Sequence, residues 1–228
     1  MLLRHLEPAS YPTLLTPIWG WVLRGLAVGL PWVPVAGAAA LFSAFCGAAS
    51  VALLARIMLF VGYRLPPEAM PAHRSRELQA RWLSSLVAAL FLAVSIPFWI
   101  GATRSLPVTF HMLWLLCVVW LFIGFQRDGR LWKLAAIGAL WGAGMAEAPA
   151  FAVFAPVAIY FVIRELILKK RLSSPRAHAA AWGGGLLGLM IFPAHFWWLA
   201  RTNPGRWASP LHAGASMLSE QWGMIRQI

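Results

Sequence analysis

Charged positions divide the chain into long apolar runs. No Asp, Glu, Lys or Arg falls between Arg24 and Arg56, between Arg81 and Arg104, between Arg104 and Arg127, or between Arg176 and Arg201. Each run exceeds the roughly 18 to 20 residues that a helix needs to cross the hydrocarbon core of a bilayer. They predict spans over residues 32–63, 82–103, 106–125 and 179–200. The stretch from Leu131 to Leu168 is too long for one span. It is interrupted at Glu147-Ala148-Pro149, where the proline disfavours a continuing helix. A helical hairpin of 131–147 and 149–168 is therefore expected. The prediction is an all-α, polytopic integral membrane protein with about six transmembrane helices in residues 32–200, preceded by an external segment 1–31 and followed by an external tail 201–228. That tail, with Pro204, Gly205, Pro210 and Gly214, reads as loop followed by a short helix from about Ser216.

Residues 11–30 have a different pattern. Thr13, Thr16, Gly20 and Arg24 fall on one stripe, opposite Leu15, Ile18 and Val22, as in an amphipathic helix. Trp19 and Trp21 suit headgroup depth, and Pro12 and Pro17 near its start suit an interfacial entry. A helix lying in the membrane interface is expected, with a genuine span as the alternative. The loops give the sidedness. Arg64, Arg74, Arg76 and Arg81 follow the first span. Arg127, Arg130 and Lys133 follow the third, and Lys169, Lys170, Arg171 and Arg176 follow the fifth. The alternate loops carry little beyond Arg104 and Glu147, so the basic loops are expected on the cytoplasmic side and the others outside.

Composition narrows the class. The chain of 228 residues is 61% hydrophobic and 11% charged, which excludes a disordered chain or a small disulfide scaffold. The formal net charge of +12 would suggest nucleic acid in a soluble protein, but here it follows from the loops, and no nucleic-acid partner is expected. Cys46 and Cys117 sit in apolar runs without CxxC spacing and predict neither a disulfide nor a metal site. No GxGxxG or Walker sequence follows a strand, so soluble nucleotide chemistry has no support, and the residues name no cofactor.

Ionisable groups at membrane depth need a partner, an aqueous cavity or a function. The topology brings Arg104, Glu147, His195 and Arg201 to the outer face, with Glu7 and Arg24 on the same side. Arg104, Arg201 and Arg24 are candidates for a lipid-linked phosphate, because a guanidinium offers a planar fork of donors. Glu147, Glu7 and His195 are candidates for acid–base work. Plainer roles are open to each: the arginines as span caps reaching the headgroups, Glu147 as a turn residue or counter-ion, His195 and His111 as satisfied imidazoles. The tryptophans read as interface anchors and Gly183 to Gly185 as a close helix contact.

Several short segments resemble a known family. Pro8-Ala9-Ser10-Tyr11-Pro12-Thr13-Leu14-Leu15, Pro17-Ile18-Trp19-Gly20-Trp21 and Leu41-Phe42-Ser43-Ala44 are similar to the bacterial GT-C-type membrane glycosyltransferases related to transmembrane protein O-mannosyltransferases. Ser95-Ile96-Pro97-Phe98-Trp99, and Gly142-Ala143-Gly144-Met145-Ala146-Glu147 leading to Phe154-Ala155-Pro156, agree in order and approximate spacing. The resemblance covers most of residues 8 to 170.

It implies transfer of a sugar from a polyprenyl-phosphate donor at the non-cytoplasmic face, onto a protein or glycan acceptor, in the bacterial inner membrane. Three positions depart from the pattern. The family's acidic residue in the first external loop has only Glu7 near its place, and no apolar helix precedes it. An acidic and aromatic pair is replaced by Leu106-Pro107-Val108, and an Asn-and-His position by Glu147-Ala148. The chain is thus expected to be a front part of such an enzyme or a shortened copy. The alternatives are a non-catalytic polytopic scaffold or partner subunit and, less favoured by charges gathered near one face, a small transporter.

Overall fold

The computed structural model describes residues 17–60, 71–103, 107–202, 205 and 208–225. All regular structure among them is helical: α1 (Pro17–Gly29), α2 (Val35–Phe60), α3 (Pro71–Val94), α4 (Ile96–Thr103), α5 (Val108–Asp128), α6 (Leu131–Glu147), α7 (Pro149–Val153), α8 (Ala155–Leu168), α9 (Pro175–Leu189), α10 (Ile191–Thr202) and α11 (Pro210–Ile225). The expected all-α class is therefore observed. Four segments are long and apolar enough to cross a membrane: Val35–Phe60, Glu77–Val94, Val108–Asp128 and Pro175–Thr202. They correspond to four of the six expected spans. The two segments expected between residues 131 and 168 are shorter. α6 has 17 residues, and Phe154 separates the 5 residues of α7 from the 14 of α8. The thirteen described residues of α1 rise about 20 Å, short of the roughly 30 Å hydrocarbon core. Thr13 and Thr16 of its expected polar stripe lie outside the described residues.

The chain forms two compact units, one of residues up to Arg24 with Gly124–Ile228, the other of Gly25–Ile123. In the second unit α2 packs against α3 and α4. Side-chain hydroxyls fasten its helices: Thr109 Oγ1 donates to the Ser43 carbonyl at 3.0 Å and Ser85 Oγ to the Ala55 carbonyl at 2.8 Å. Such bonds supply interhelical attraction where lipid competes for apolar contact. Gly47 admits Ala102, whose Cβ would be 3.2 Å from a Cβ at that position. The second predicted span, 82–103, is broken at Ser95. Pro97 cannot donate to the ladder, and Ser95 Oγ accepts from the Phe98 amide at 3.4 Å to begin α4.

The other unit is organised by α6 and α9, which run side by side and parallel. The seam is glycine against backbone. A Cβ on Gly138 would meet the Ala181 carbonyl at 2.5 Å, and one on Gly188 the Ala143 amide nitrogen at 2.6 Å. Gly142 and Gly184 face the Gly185 and Ala135 carbonyls just as closely. This is the small-residue approach that membrane helices use for packing, with Cα–H···O contacts as a further attraction. The expected break at Glu147-Ala148-Pro149 is present, and α6 takes α9 rather than α8 as its close partner. The reason lies in the side chains: α8 presents bulky Val157, Ile159, Tyr160 and Phe161, which are exposed, whereas α9 presents glycine.

Parallel neighbours need a return connection, supplied here by α7 and α8. At one end of the unit the loops around residues 129 and 170 meet. Lys169 Nζ donates to the Gln126 carbonyl at 2.7 Å, Gln126 Nε2 to Glu165 Oε2 at 3.3 Å, and Arg171 to the Gly129 carbonyl. Gly129 is left-handed at φ 64°, a conformation that glycine adopts without a Cβ penalty. Lys133 closes on Asp128 at 2.8 Å. Two of the basic loops thus share one end of the unit.

α9 ends at Met190, and α10 continues to pack against α11 through Leu199 and Ala213. The tail helix begins at Pro210 rather than near Ser216, because Ser209 Oγ accepts from the His212 amide at 3.1 Å and proline suits a first helical position.

The seam predicts an asymmetric glycine scan. Gly184→Leu and Gly188→Leu are expected to separate α6 from α9, lowering stability by about 1–3 kcal/mol or more. Gly183→Ala, with nothing within 4 Å of the new Cβ, should be tolerated. Thermal unfolding in detergent micelles checks this, and equal effects at positions 183 and 188 would contradict the seam.

Candidate functional site

The far end of α6 carries Glu147, some 25 Å from the basic loops for 17 residues at about 1.5 Å each. Its turn is built by the segment that carried the family likeness. Gly142 lies in the seam with α9. Gly144 leaves room for the Phe151 ring, 2.6 Å from where its Cβ would be, and Phe151 in turn meets Trp141 edge-on at 5.3 Å. Ala148 is extended, as a residue before proline prefers, and Pro149 starts α7. The turn fixes where the carboxylate points.

Glu147 is 1% exposed, and its carboxylate accepts two backbone bonds, from Ile18 N at 2.7 Å and Trp19 N at 3.1 Å. These are the second and third residues of α1, after Pro17, which has no amide hydrogen to satisfy. Orphan donors and a partial positive charge at a helix N-terminus favour an anion. Glu147 therefore caps α1 across 129 residues of sequence. Of the roles open to it at the sequence level, the geometry shows an anchor for α1.

Beyond that anchor, α1 and α10 mesh in two steps. Trp21 meets the His195 ring edge-on at 5.7 Å, and His195 stacks on Trp198 at 5.8 Å. Arg24 lies over the other aromatic, 4.2 Å from the Trp198 ring centroid. Partial burial holds the Arg24 guanidinium below its ordinary value without neutralising it. Arg201 is exposed and stacks on neighbouring Trp197 at 4.9 Å. His195 is 3% exposed, and among the described residues neither ring nitrogen has a hydrogen-bond partner. Each unsatisfied buried group costs about 1–3 kcal/mol, so the ring holds a position that packing alone does not justify.

Four of the six residues singled out in the sequence, Glu147, His195, Arg24 and Arg201, thus belong to one unit. Glu147, His195 and Arg24 are joined through α1, and Arg201 stands on the adjoining tryptophan. Glu7 and Arg104 lie outside the described residues. Trp21 and Trp198 were read only as interface anchors. Their signal was spacing: Trp21 with Arg24, and His195 with Trp198, each stand three residues apart and share a helix face.

Residues 21–166 match the family model of the protein O-mannosyl-transferase TMEM260 N-terminal domain. The match covers more than half of the chain, and the chain belongs to this family. It is a glycosyltransferase-like membrane protein, as the resemblance to O-mannosyltransferases implied. No curated protein and no solved structure matches it. The matched range holds Trp21, Arg24 and Glu147, while His195, Trp198 and Arg201 follow it.

Capping predicts a local signature. Glu147→Ala should cost about 1–2 kcal/mol and speed hydrogen exchange at the Ile18 and Trp19 amides. Glu147→Gln, which keeps an acceptor oxygen, should retain much of the protection. Unchanged exchange at both amides in the alanine variant would remove the cap.

Proposed function

We propose that this chain is a GT-C-type glycosyltransferase module that takes a sugar from a polyprenyl-phosphate donor at the non-cytoplasmic face and passes it to a protein or glycan acceptor. The observation that carries the reading is Arg24 stacked on Trp198 beside buried His195, in a chain of the O-mannosyl-transferase family. Arg24 and Arg201 hold the donor phosphate, while the acyl chain stays in lipid. Indole stacking orients each guanidinium and leaves its edge for phosphate oxygens. Cations placed on the departing lipid phosphate would neutralise the charge that grows as the sugar leaves. Glu147 acts through α1: by holding the first turn it sets Trp21 and Arg24 against α10. Removal of the acceptor proton falls to an acidic residue of the N-terminal segment, with Glu7 the candidate.

In this reading the membrane is the bacterial inner membrane, the basic loops are cytoplasmic, and α1 lies in the outer interface with Trp19 and Trp21 at headgroup depth. The segments of α6 and of α7–α8 complete the six passes. A second reading, a non-catalytic partner subunit, draws support from the cap itself, since Glu147 has a structural task.

Two measurements separate these. Protein reconstituted in nanodiscs should bind radiolabelled polyprenyl-phosphate sugar, about tenfold more weakly after Arg24→Ala or Arg201→Ala, the scale of one charge-assisted hydrogen bond. Equal binding by all forms would take both arginines out of the mechanism, and no binding by any would favour the partner subunit. For sidedness, cysteine at position 104 should react with an impermeant reagent from outside and cysteine at 74 only from inside. Labelling of both from one side would reject the topology.

A further inference from the structure

His195 has a task that phosphate binding leaves unexplained. Among the described residues, its two ring nitrogens are buried without partners between the elements that carry Trp21 and Trp198. A neutral imidazole offers one donor and one acceptor, on opposite sides of the ring. A hydroxyl does both and is the natural complement, whereas a phosphate oxygen could use only the donor. Arg24 over Trp198 opposes a second positive charge nearby, so the neutral ring suits the place and the anion belongs to the guanidinium. Aromatic walls with a few placed polar groups are the usual lining of a site for a small organic ligand. Trp198 touches both His195 and Arg24, so the hydroxyl-seeking and phosphate-seeking groups lie one indole apart, as the two parts of a glycosyl phosphate do.

We propose that the His195 imidazole, flanked by Trp21 and Trp198, is the subsite that recognises hydroxyls of the saccharide borne by the donor, an inference that rests on the proposed function. Trp21 is half-buried and belongs to α1, so one wall of the subsite reaches the surface. Arg24 and His195 then divide the donor between them: charge to one, hydroxyl pattern to the other. His195 is a specificity-determining residue.

The test compares polyprenyl phosphate with polyprenyl-phosphate mannose in competition binding to the full chain in nanodiscs. The native protein should prefer the mannose-bearing lipid about tenfold, the scale of one or two neutral hydrogen bonds. His195→Phe keeps an aromatic ring and removes both orphan nitrogens. It should abolish the preference, leave affinity for bare polyprenyl phosphate unchanged, and hold or raise the thermal midpoint. A purely structural histidine would not give that combination. His195→Gln, with a donor and an acceptor, should keep part of the preference, and it carries the test should the phenylalanine variant fail to fold. Arg24→Ala should weaken both lipids alike. Retention of the full preference in His195→Phe, whether binding of both lipids is unchanged or equally weakened, overturns the subsite. If the native protein binds both lipids without preference, the subsite falls and the donor reading stands. If it binds neither, both fall.

Discussion

In lipid, apolar contact between helices gains little over contact with acyl chains, so a pair that holds together must approach closely enough for backbone to meet backbone. Gly138 and Gly142 on α6 and Gly184 and Gly188 on α9 meet that condition, and the unit containing Glu147 depends on it. Their parallel alignment has a topological consequence. The chain must travel back between the two helices, which α7 and α8 do, so the ends of α6 and α9 fall at the same level. Glu147 at the close of α6 and His195 on the continuation of α9 are brought to one end by that single contact. Lys133, Lys169 and Arg171 gather at the other end through bonds to Asp128, Gln126 and Gly129.

The two ends handle charge differently. At the basic end, carboxylates and carbonyls answer cations across loop connections, in bonds that are partly exposed and individually weak. At the other end a single buried carboxylate answers a helix terminus. Burial makes that interaction stronger than a surface pair, because the amides of Ile18 and Trp19 and the carboxylate would each lose solvation without the other. The first turn of α1 is consequently held by a residue far along the sequence rather than by a local cap. Pro17 contributes by removing one donor that would otherwise need a partner.

Much of this was legible in the sequence. Uncharged runs mark the four longest spans, since a bilayer imposes a length and a polarity that composition shows directly. Glu147, Arg24, His195 and Arg201 stood out because ionisable groups are rare in such a chain. The close partner of α6 was not read, because hydropathy reports burial from water and says nothing of which helix a glycine will meet. Gly138 and Gly142 lie on one face of α6, and Gly184 and Gly188 on one face of α9, so the i, i+4 spacing held the information. The cluster Gly183-Gly184-Gly185 drew notice as a run, while its helical period matters more: Gly184 faces α6, and Gly183 faces open space. The cap was invisible, because a carboxylate bonded across 129 residues leaves no local pattern.

The remaining step concerns how accurately the aromatic cluster can be held. Trp21 and Arg24 come from α1, which is anchored by Glu147, which is aimed by the turn at Gly144 and Phe151, which closes α6. His195 and Trp198 come from α10, which follows α9 across Met190. Both halves of the cluster therefore trace back to the same glycine seam, one through α6 and the other through α9. A group of side chains gains positional accuracy when its supports share a rigid origin, because errors in the two arms are then small and correlated. Here the supports share a contact of backbone on backbone, stiffer than side-chain packing. The orphaned imidazole fits that logic. Among the described residues its two ring nitrogens have no partner, although Trp21 and Trp198 hold the ring from both sides. A strained or unsatisfied group held by an over-determined frame is the usual mark of a position retained for chemistry rather than for stability.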